Sequence, residues 1–239
     1  MSDVQFRSDV TVELVRSTAN DRDVLFAARV STQGEQSLEG NADDATDRDK
    51  GLINYLMRDR HGSPFEHNSM TFYVQAPIFV FREFMRHRIA SYNEESGRYR
   101  ELKPVFYIPG PERKLIQVGK TGAYEFIDGT DAQYETSVAA MKRSYEVSYE
   151  SYQEMLEVGI AREVARTVLP VGLYSNMYVT MNARALMNFL SLRTKSEGSH
   201  FPSYPQREIE MVAEKMEVIW AGLMPLTHGA FNTGGRVCP

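Results

Sequence analysis

The chain has a single cysteine, Cys238, which excludes an intramolecular disulfide framework and a thiolate zinc site and makes a reducing compartment the expectation. No run of about 18 apolar residues is present to span a bilayer. Met1 to Val10 lacks the apolar stretch of a signal peptide, so the sequence predicts a cytoplasmic protein that does not enter membranes. The glycine pattern G-x-G-x-x-G is absent, and with it the familiar dinucleotide turn at a helix N-terminus. Gly119-Lys120-Thr121 looks like the end of a P-loop, but Lys114 stands where the first glycine is required. The histidines, His61, His67, His87, His200 and His228, form no H-E-x-x-H and no close pair, so no metal site is expected. Nor is there an excess of base: 27 Lys and Arg face 32 Asp and Glu, a formal charge of -5, which argues against a nucleic-acid coat. Any anion site must be a local cluster.

What is present suffices for one large domain with a core, since 239 residues are 42% hydrophobic. Val10 to Val15 alternates as a half-buried strand, and a helical pattern follows through Leu25, Ala27 and Ala28. Residues 33–49 are rich in Gly, Asn, Asp, Ser and Glu and read as a mobile loop. Met70 to Ala76 predicts a second strand, and Pro77 opens a helix expected to run to about Arg88. After an irregular stretch to about Gly129, Tyr134, Val138, Met141, Tyr145, Tyr149 and Tyr152 recur at steps of three and four, marking a long amphipathic helix. Its tyrosine stripe suits packing against a core or a subunit better than ligand stacking.

A shorter helix over Arg162 to Leu169 stops at Pro170, and Gly172 to Met181 is extended. Helices follow over about Ala183 to Lys195 and Ser203 to Leu223, and residues 224–239 read as a flexible tail. There is no repeat and no βαβ rhythm. The expectation is therefore α+β in one domain, residues 1–239, with a mainly antiparallel sheet and flanking helices.

The densest chemistry lies in Arg82 to Arg100, R-E-F-M-R-H-R-I-A-S-Y-N-E-E-S-G-R-Y-R. Guanidinium forks suit phosphate, while Ser91, Asn93, Ser96 and Gly97 add small donors and a backbone that a ligand can approach closely. Residue types alone leave two alternatives open, a solvated basic helix end paired with Glu83, Glu94 and Glu95, or a polyanion cradle. A second candidate is Arg193, which falls on the apolar stripe of Leu186, Phe189 and Leu190 and needs an anionic or carbonyl-rich partner, a structural salt bridge or a frayed helix end. Arg184 and Asn188, four apart, share a helix face and can present a fork and an amide to one ligand.

The order R-H-R-x-x-S-x-N-E-x-S-x-R-Y, met at Arg86, His87, Arg88, Ser91, Asn93, Glu94, Ser96, Arg98 and Tyr99, resembles the signature of the flavin-dependent thymidylate synthases. The likeness runs from Ala28-Arg29-Val30-Ser31 through His61-Gly-Ser-Pro-Phe-Glu-His67 and Arg162 to Pro170 as far as Asn182 to Arg193. The resemblance implies a methyltransferase that converts dUMP to dTMP, with methylenetetrahydrofolate giving the carbon and FAD, reduced by NADPH, giving the hydride. It implies that Glu83, Arg86, Glu94, Ser96, Gly97, Arg98, Arg166 and Arg193 hold dUMP, with Arg193 activating the pyrimidine. For FAD it implies Ser31, His61, Ser63, Arg86, His87, Arg88, Glu94, Asn182, Arg184 and Asn188. A homotetramer with shared active sites is expected. Cys238 is a poor candidate for a covalent nucleophile, which suits a flavin route rather than a thiolate one.

Two other classes match parts of the pattern. An RNA-binding module would use Arg82 to Arg100 on phosphates and Tyr92 or Tyr99 on a base, against the acidic total. A flavin reductase would use nicotinamide without methylating anything, and a dUMP-dependent methylation assay separates it.

Overall fold

Side-chain caps start four of the helices in the computed structural model, which describes residues 4–39, 46–120 and 123–239, the side chains of Glu39 and Ala123 apart. Helix α1, Asp21–Gln33, begins at Asn20, whose side chain accepts from the Asp23 amide at 3.1 Å, and ends at Gly34 with φ +54°, a left-handed turn that glycine tolerates. Helix α2, Asp47–Arg58, opens on a capping box of Thr46 and Asp49. Helix α3 is Ile78–Phe84. Helix α4, Asp131–Glu157, opens on a second box, Thr130 with Gln133. A short α5, Arg162–Ala165, passes into a 3-10 turn, Arg166–Val168. Helix α6, Ala183–Arg193, starts where the Asn182 side chain accepts from the Ala185 amide at 2.8 Å. Helices α7, Arg207–Leu223, and α8, Pro225–Thr233, complete the set.

The strands are β1 (Gln5–Arg7), β2 (Thr11–Ser17), β3 (Met70–Pro77), β4 (Ser91–Glu94), β5 (Val105–Tyr107), β6 (Ile116–Lys120), β7 (Ala123–Ile127) and β8 (Tyr174–Met181). They form a four-stranded sheet in the order β2-β3-β8-β4, a parallel pair β1-β5 and an antiparallel pair β6-β7. Between β3 and β8, Thr71 meets Thr180, Tyr73 meets Tyr178 and Gln75 meets Asn176, so numbers that rise along one strand fall along the other, the mark of antiparallel pairing. The α+β class and the mainly antiparallel main sheet are as expected.

Two compact units are distinguished by their internal contacts. The first comprises residues 1–11, 75–83 and 94–177. Its core is the tyrosine stripe of α4: Tyr145 stacks on Phe106 with centroids 4.8 Å apart, the Tyr149 hydroxyl donates to the Leu102 carbonyl at 3.1 Å, and the Tyr152 hydroxyl accepts from the Leu102 amide at 3.3 Å. The stripe is thus packing, the rings burying area while the hydroxyls of Tyr149 and Tyr152 find backbone partners at Leu102. The second unit comprises residues 12–74, 84–93 and 178–239. There Phe84 stacks on Phe189 of α6, and Trp220 of α7 meets Phe231 of α8 edge-on.

Several boundaries differ from expectation. The helix expected from Pro77 to Arg88 stops at Phe84, because the Tyr92 hydroxyl donates to the carbonyls of Phe84 (2.9 Å) and His87 (2.6 Å) and so supplies a partner at the helix end. Arg86, His87 and Arg88 therefore lie in a turn and the segment after it. The helix expected over Arg162 to Leu169 breaks into α5 and a 3-10 turn. Of residues 33–49, Gly34–Glu39 form a 3-10 turn and Asp47 onward is α2, while residues 40–45 of the expected loop lie outside the described residues. Residues 224–239, expected as a flexible tail, hold α8 and then Arg236, which is buried and makes four hydrogen bonds to Glu217, Asn232 and Thr194. Among the described residues, no helix is long and apolar enough to cross a membrane.

Candidate active site

In the second unit the site is built on α6. A cleft of about 800 Å³ is lined by Asn182, Arg184, Asn188 and Arg193 of the expected residues, together with Arg60, Glu66, Ile89, Tyr204 and Cys238. Arg184, Asn188 and Ser191 recur at helical spacing, which is why one face of α6 supplies all three. Asn182 has a structural duty as well, since its side-chain oxygen caps the helix.

Arg184 is held from two directions. Its guanidinium pairs with Glu66, and its Nε donates to the Pro239 carbonyl at 2.7 Å. The backbone at Gly62 makes room for it: a Cβ there would lie 2.5 Å from Arg184 Cζ. The motif from His61 to His67 thus serves Arg184 through Gly62 and Glu66, whereas His61, tilted against Tyr55, and Ser63 are exposed and do not line the cleft. Ser31 is likewise exposed, on α1. Glu66 escaped the sequence reading, although it stands inside a motif already singled out.

At the other end of α6, Arg193 Nε donates to His87 Nε2 at 3.1 Å. The bond requires an unprotonated Nε2, and burial first, then the charge of Arg193, lowers His87 from 6.5 to about 4. His87 is 8% exposed, with its ring edge-on to Phe189 at 4.9 Å. A neutral imidazole therefore orients the guanidinium without cancelling its charge. Arg86 and Arg88, on either side of His87, are exposed and have no hydrogen bond or ion pair among the described residues.

In the first unit the signature continues after β4. Gly97 is buried beneath Arg166, and a Cβ on it would lie 2.8 Å from Leu102 Cδ1 and 3.1 Å from Arg166 Cδ. The turn Ser96 to Tyr99 is closed by the Tyr99 amide on the Ser96 carbonyl at 3.1 Å, while Ser96 Oγ accepts from the Arg98 amide at 3.3 Å. Arg98 pairs with Glu163 of α5 at 2.9 Å, and Arg100 with Glu95 at 3.1 Å. Burial raises the Glu94 carboxyl, opposed by a Ser175 hydrogen bond and by Arg166. Glu94, Ser96, Gly97, Arg98 and Arg166 are thus gathered in this unit, to which Glu83 also belongs, half-buried at the end of α3. Glu163 was not expected; only its neighbourhood to Arg162 and Arg166 signalled it.

Cys238 is half-buried rather than loose. Its Sγ lies 3.3 Å from the Arg184 carbonyl, and burial raises its thiol pKa despite Arg184 and Arg60 nearby. A thiol held in that form is a poor nucleophile. Among the described residues, no three His, Cys, Asp or Glu are grouped to hold a metal ion.

Comparison with known proteins returns one chemistry. Residues 13–226 match the family described as thymidylate synthase complementing protein. The chain is 69% identical over 235 residues to the flavin-dependent thymidylate synthase of Streptomyces avermitilis, covering 98% of this chain and 95% of that one. It is 60% identical over 237 residues to the flavin-dependent thymidylate synthase of Tropheryma whipplei, covering 99% and 98%. Among solved structures it is similar to PolB of Streptomyces cacaoi, a UMP/dUMP methylase. With 5-Br dUMP bound, the match has a TM-score of 0.93 at 56% identity over 99% of this chain and 100% of that one. With 5-Br UMP bound, the TM-score is 0.90 at 55% identity over 99% of both chains.

Proposed function

The chain belongs to the family of flavin-dependent thymidylate synthases, and from that premise we propose how its residues divide the reaction. The enzyme is a methyltransferase that converts dUMP to dTMP with a flavin cofactor. The observation that carries the reading is the Arg193–His87 pair: a fixed guanidinium whose orienting partner is neutral.

Arg193 stabilises the negative charge that develops on the pyrimidine as C5 becomes nucleophilic, an electrostatic contribution available without reorganisation. His87 orients Arg193 by accepting a hydrogen bond from its Nε–H and stays neutral through the physiological range. Arg98, Arg166 and Arg86 bind the nucleotide phosphate, with Ser96 donating and Gly97, which has no Cβ, leaving room for Arg166 to lie over the turn; Glu83 and Glu94 accept from the sugar or the ring. The cleft on α6 suits FAD, because its size and its arginines match a large dianionic dinucleotide. Asn182, Arg184 and Asn188 would hold it there; Ser31, His61, Ser63, His87, Arg88 and Glu94, which the family resemblance also assigns to FAD, do not line this cleft and would contact the cofactor from other copies of the chain in the oligomer. When bound, the flavin supplies the reducing equivalents that turn a one-carbon unit into a methyl group. NADPH is the reductant and methylenetetrahydrofolate the carbon donor, a pairing that balances a methylene unit against a methyl product.

The functional unit is the whole chain as one domain, since the family match spans parts of both units. It assembles as a homotetramer, a reading supported by exposed Phe26, Ile89, Tyr99, Tyr178 and Phe201. It works in the cytoplasm, in keeping with its lone cysteine. The test is a methylation assay with dUMP, methylenetetrahydrofolate and NADPH on flavin-loaded enzyme. dTMP formation that depends on all three supports the reading. NADPH oxidation without dTMP would leave only a flavin reductase.

A further inference from the structure

Helix α6 carries Arg184 near one end and Arg193 at the other, about 13 Å apart along the axis at a rise of ~1.5 Å per residue. The segment Arg236 to Pro239 touches both ends. Arg236 Nη2 donates to Thr194 Oγ1 at 2.8 Å, and Thr194 is the residue that caps α6 directly after Arg193. Three residues on, the Pro239 carbonyl accepts from Arg184 Nε at 2.7 Å, and Cys238 Sγ lies 3.3 Å from the Arg184 carbonyl. An extended chain covers about 10 Å in three residues, which with the length of the Arg236 side chain spans the helix.

The anchor of this segment is a buried bidentate pair. Arg236 Nη1 and Nη2 donate to the two carboxylate oxygens of Glu217 at 2.7 and 2.8 Å, Nη1 also donates to Asn232 Oδ1 at 2.6 Å, and the guanidinium lies over the Phe231 ring at 4.9 Å. Arg236 is 7% exposed and has φ +58°, a left-handed conformation unusual for a residue with a Cβ. Such a backbone persists where surrounding contacts over-determine it. A carboxylate, a hydroxyl, an amide and an aromatic face do so here.

We propose that Arg236 and Glu217 are positioning residues for both site arginines: their buried pair seats residues 236–239 along α6 as a strap, fixing Arg193 through Thr194 and Arg184 through Pro239. The inference rests on the reading that Arg193 meets dUMP and Arg184 meets the flavin. It adds that their geometry is set by a pair at the cleft wall, in which the Arg236 guanidinium is bonded to Glu217, Asn232 and Thr194. Lysine at 236 would keep the charge and lose the fork.

Cys238 makes the strap observable, because it is the only thiol in the chain and sits within the segment. The experiment compares the flavin-loaded parent with Arg236→Lys and Glu217→Gln, with folding monitored by circular dichroism. It measures maleimide labelling of Cys238 by mass spectrometry, flavin dissociation, and KM and kcat for dUMP. The expected result in both variants is labelling at least tenfold faster, flavin affinity several-fold weaker, and a KM for dUMP that rises more than kcat falls. Folded variants with parental flavin affinity and KM would overturn the proposal, whatever the labelling rate. Should either substitution fail to fold, a chain lacking Cys238 and Pro239 but keeping Arg236 serves instead. It is expected to lose flavin affinity while holding its KM for dUMP, and unchanged flavin affinity there overturns the proposal equally. Arg184→Ala and Arg193→Ala run beside these as direct controls. If the controls leave flavin affinity and KM for dUMP unchanged, the reading of the site fails and takes the proposal with it; if only the strap variants are silent, the strap alone fails.

Discussion

Two sets of arginines, one in each unit, are held in opposite ways. In the first, Arg98 and Arg100 are paired with Glu163 and Glu95, and the Arg98–Glu163 pair is exposed on both sides. In the second, Arg193 is oriented by a neutral histidine, and Arg86 and Arg88 have no ion pair among the described residues. An exposed ion pair is worth about 0 to 1 kcal/mol, so a ligand anion displaces such a carboxylate cheaply. A neutral imidazole orients the guanidinium without itself cancelling its charge. The first arrangement suits binding, where a partner is exchanged as the nucleotide arrives, and the second suits charge stabilisation during the reaction, where reorganisation would cost rate.

Loss of the oriented arginine is the sharpest way to break this contrast. Arg193→Ala is expected to lower kcat/KM for dUMP by about 100- to 1,000-fold, the scale of removing one preorganised donor. Lysine should restore little, having no Nε–H aimed at His87. Steady-state kinetics with the oligomer checked by light scattering reads both.

Removing the orienting acceptor comes next. His87→Leu keeps an apolar contact with Phe189 and deletes the partner of Arg193 Nε, with an expected loss of about 10- to 100-fold, as for a hydrogen bond to a charged group. His87→Gln, which restores an acceptor, should recover part of it. The same residue makes a pH prediction. Folded His87 stays neutral where an unfolded one protonates, so its contribution to stability is complete above pH 6.5 and is lost as pH falls toward about 4. An NMR titration should find its midpoint near 4, and in Arg193→Leu the midpoint should rise yet stay below 6.5, because burial is the larger cause.

A smaller effect is expected where space rather than charge is altered. In Gly62→Ala the new Cβ would lie 2.5 Å from the Arg184 guanidinium, so that side chain must swing away. Flavin affinity should weaken by about tenfold, one charged hydrogen bond's worth, with little change in melting temperature. The smallest effect belongs to the exposed pair. Glu163→Gln should shift stability by less than about 1 kcal/mol and leave KM for dUMP unchanged or slightly lower, since Arg98 is freed for its ligand. A tenfold rise in KM would erase the contrast between the units.

What the sequence revealed followed the range over which its cues act. The α4 stripe and the apolar run of β3 announce themselves because their periodicity is local. The start of α2 was legible in principle, as Thr46 and Asp49 spell a capping box, but its polar first turn reads as loop. The end of α3 was not, since it is set by a hydroxyl from Tyr92, eight residues beyond Phe84. In the site, Arg184 and Asn188 were legible as a shared helix face. The His87–Arg193 bond joins residues 106 apart, and nothing in either neighbourhood names the other. The C-terminal residues misled for a like reason: Gly234-Gly235 suggests looseness, whereas Glu217, 19 residues from Arg236, holds the segment down.

The central claim is that His87 and Arg193 act as one device, and a double-mutant cycle tests it most directly. kcat/KM for dUMP would be measured for the parent, His87→Leu, Arg193→Ala and the double variant, on flavin-loaded enzyme. If His87 serves the reaction by orienting Arg193, its removal costs little once Arg193 is gone, and the double variant should match Arg193→Ala within about a factor of two. Losses that multiply, leaving the double variant lower than Arg193→Ala by the full cost of His87→Leu, would mean that the two residues act independently and would contradict the account.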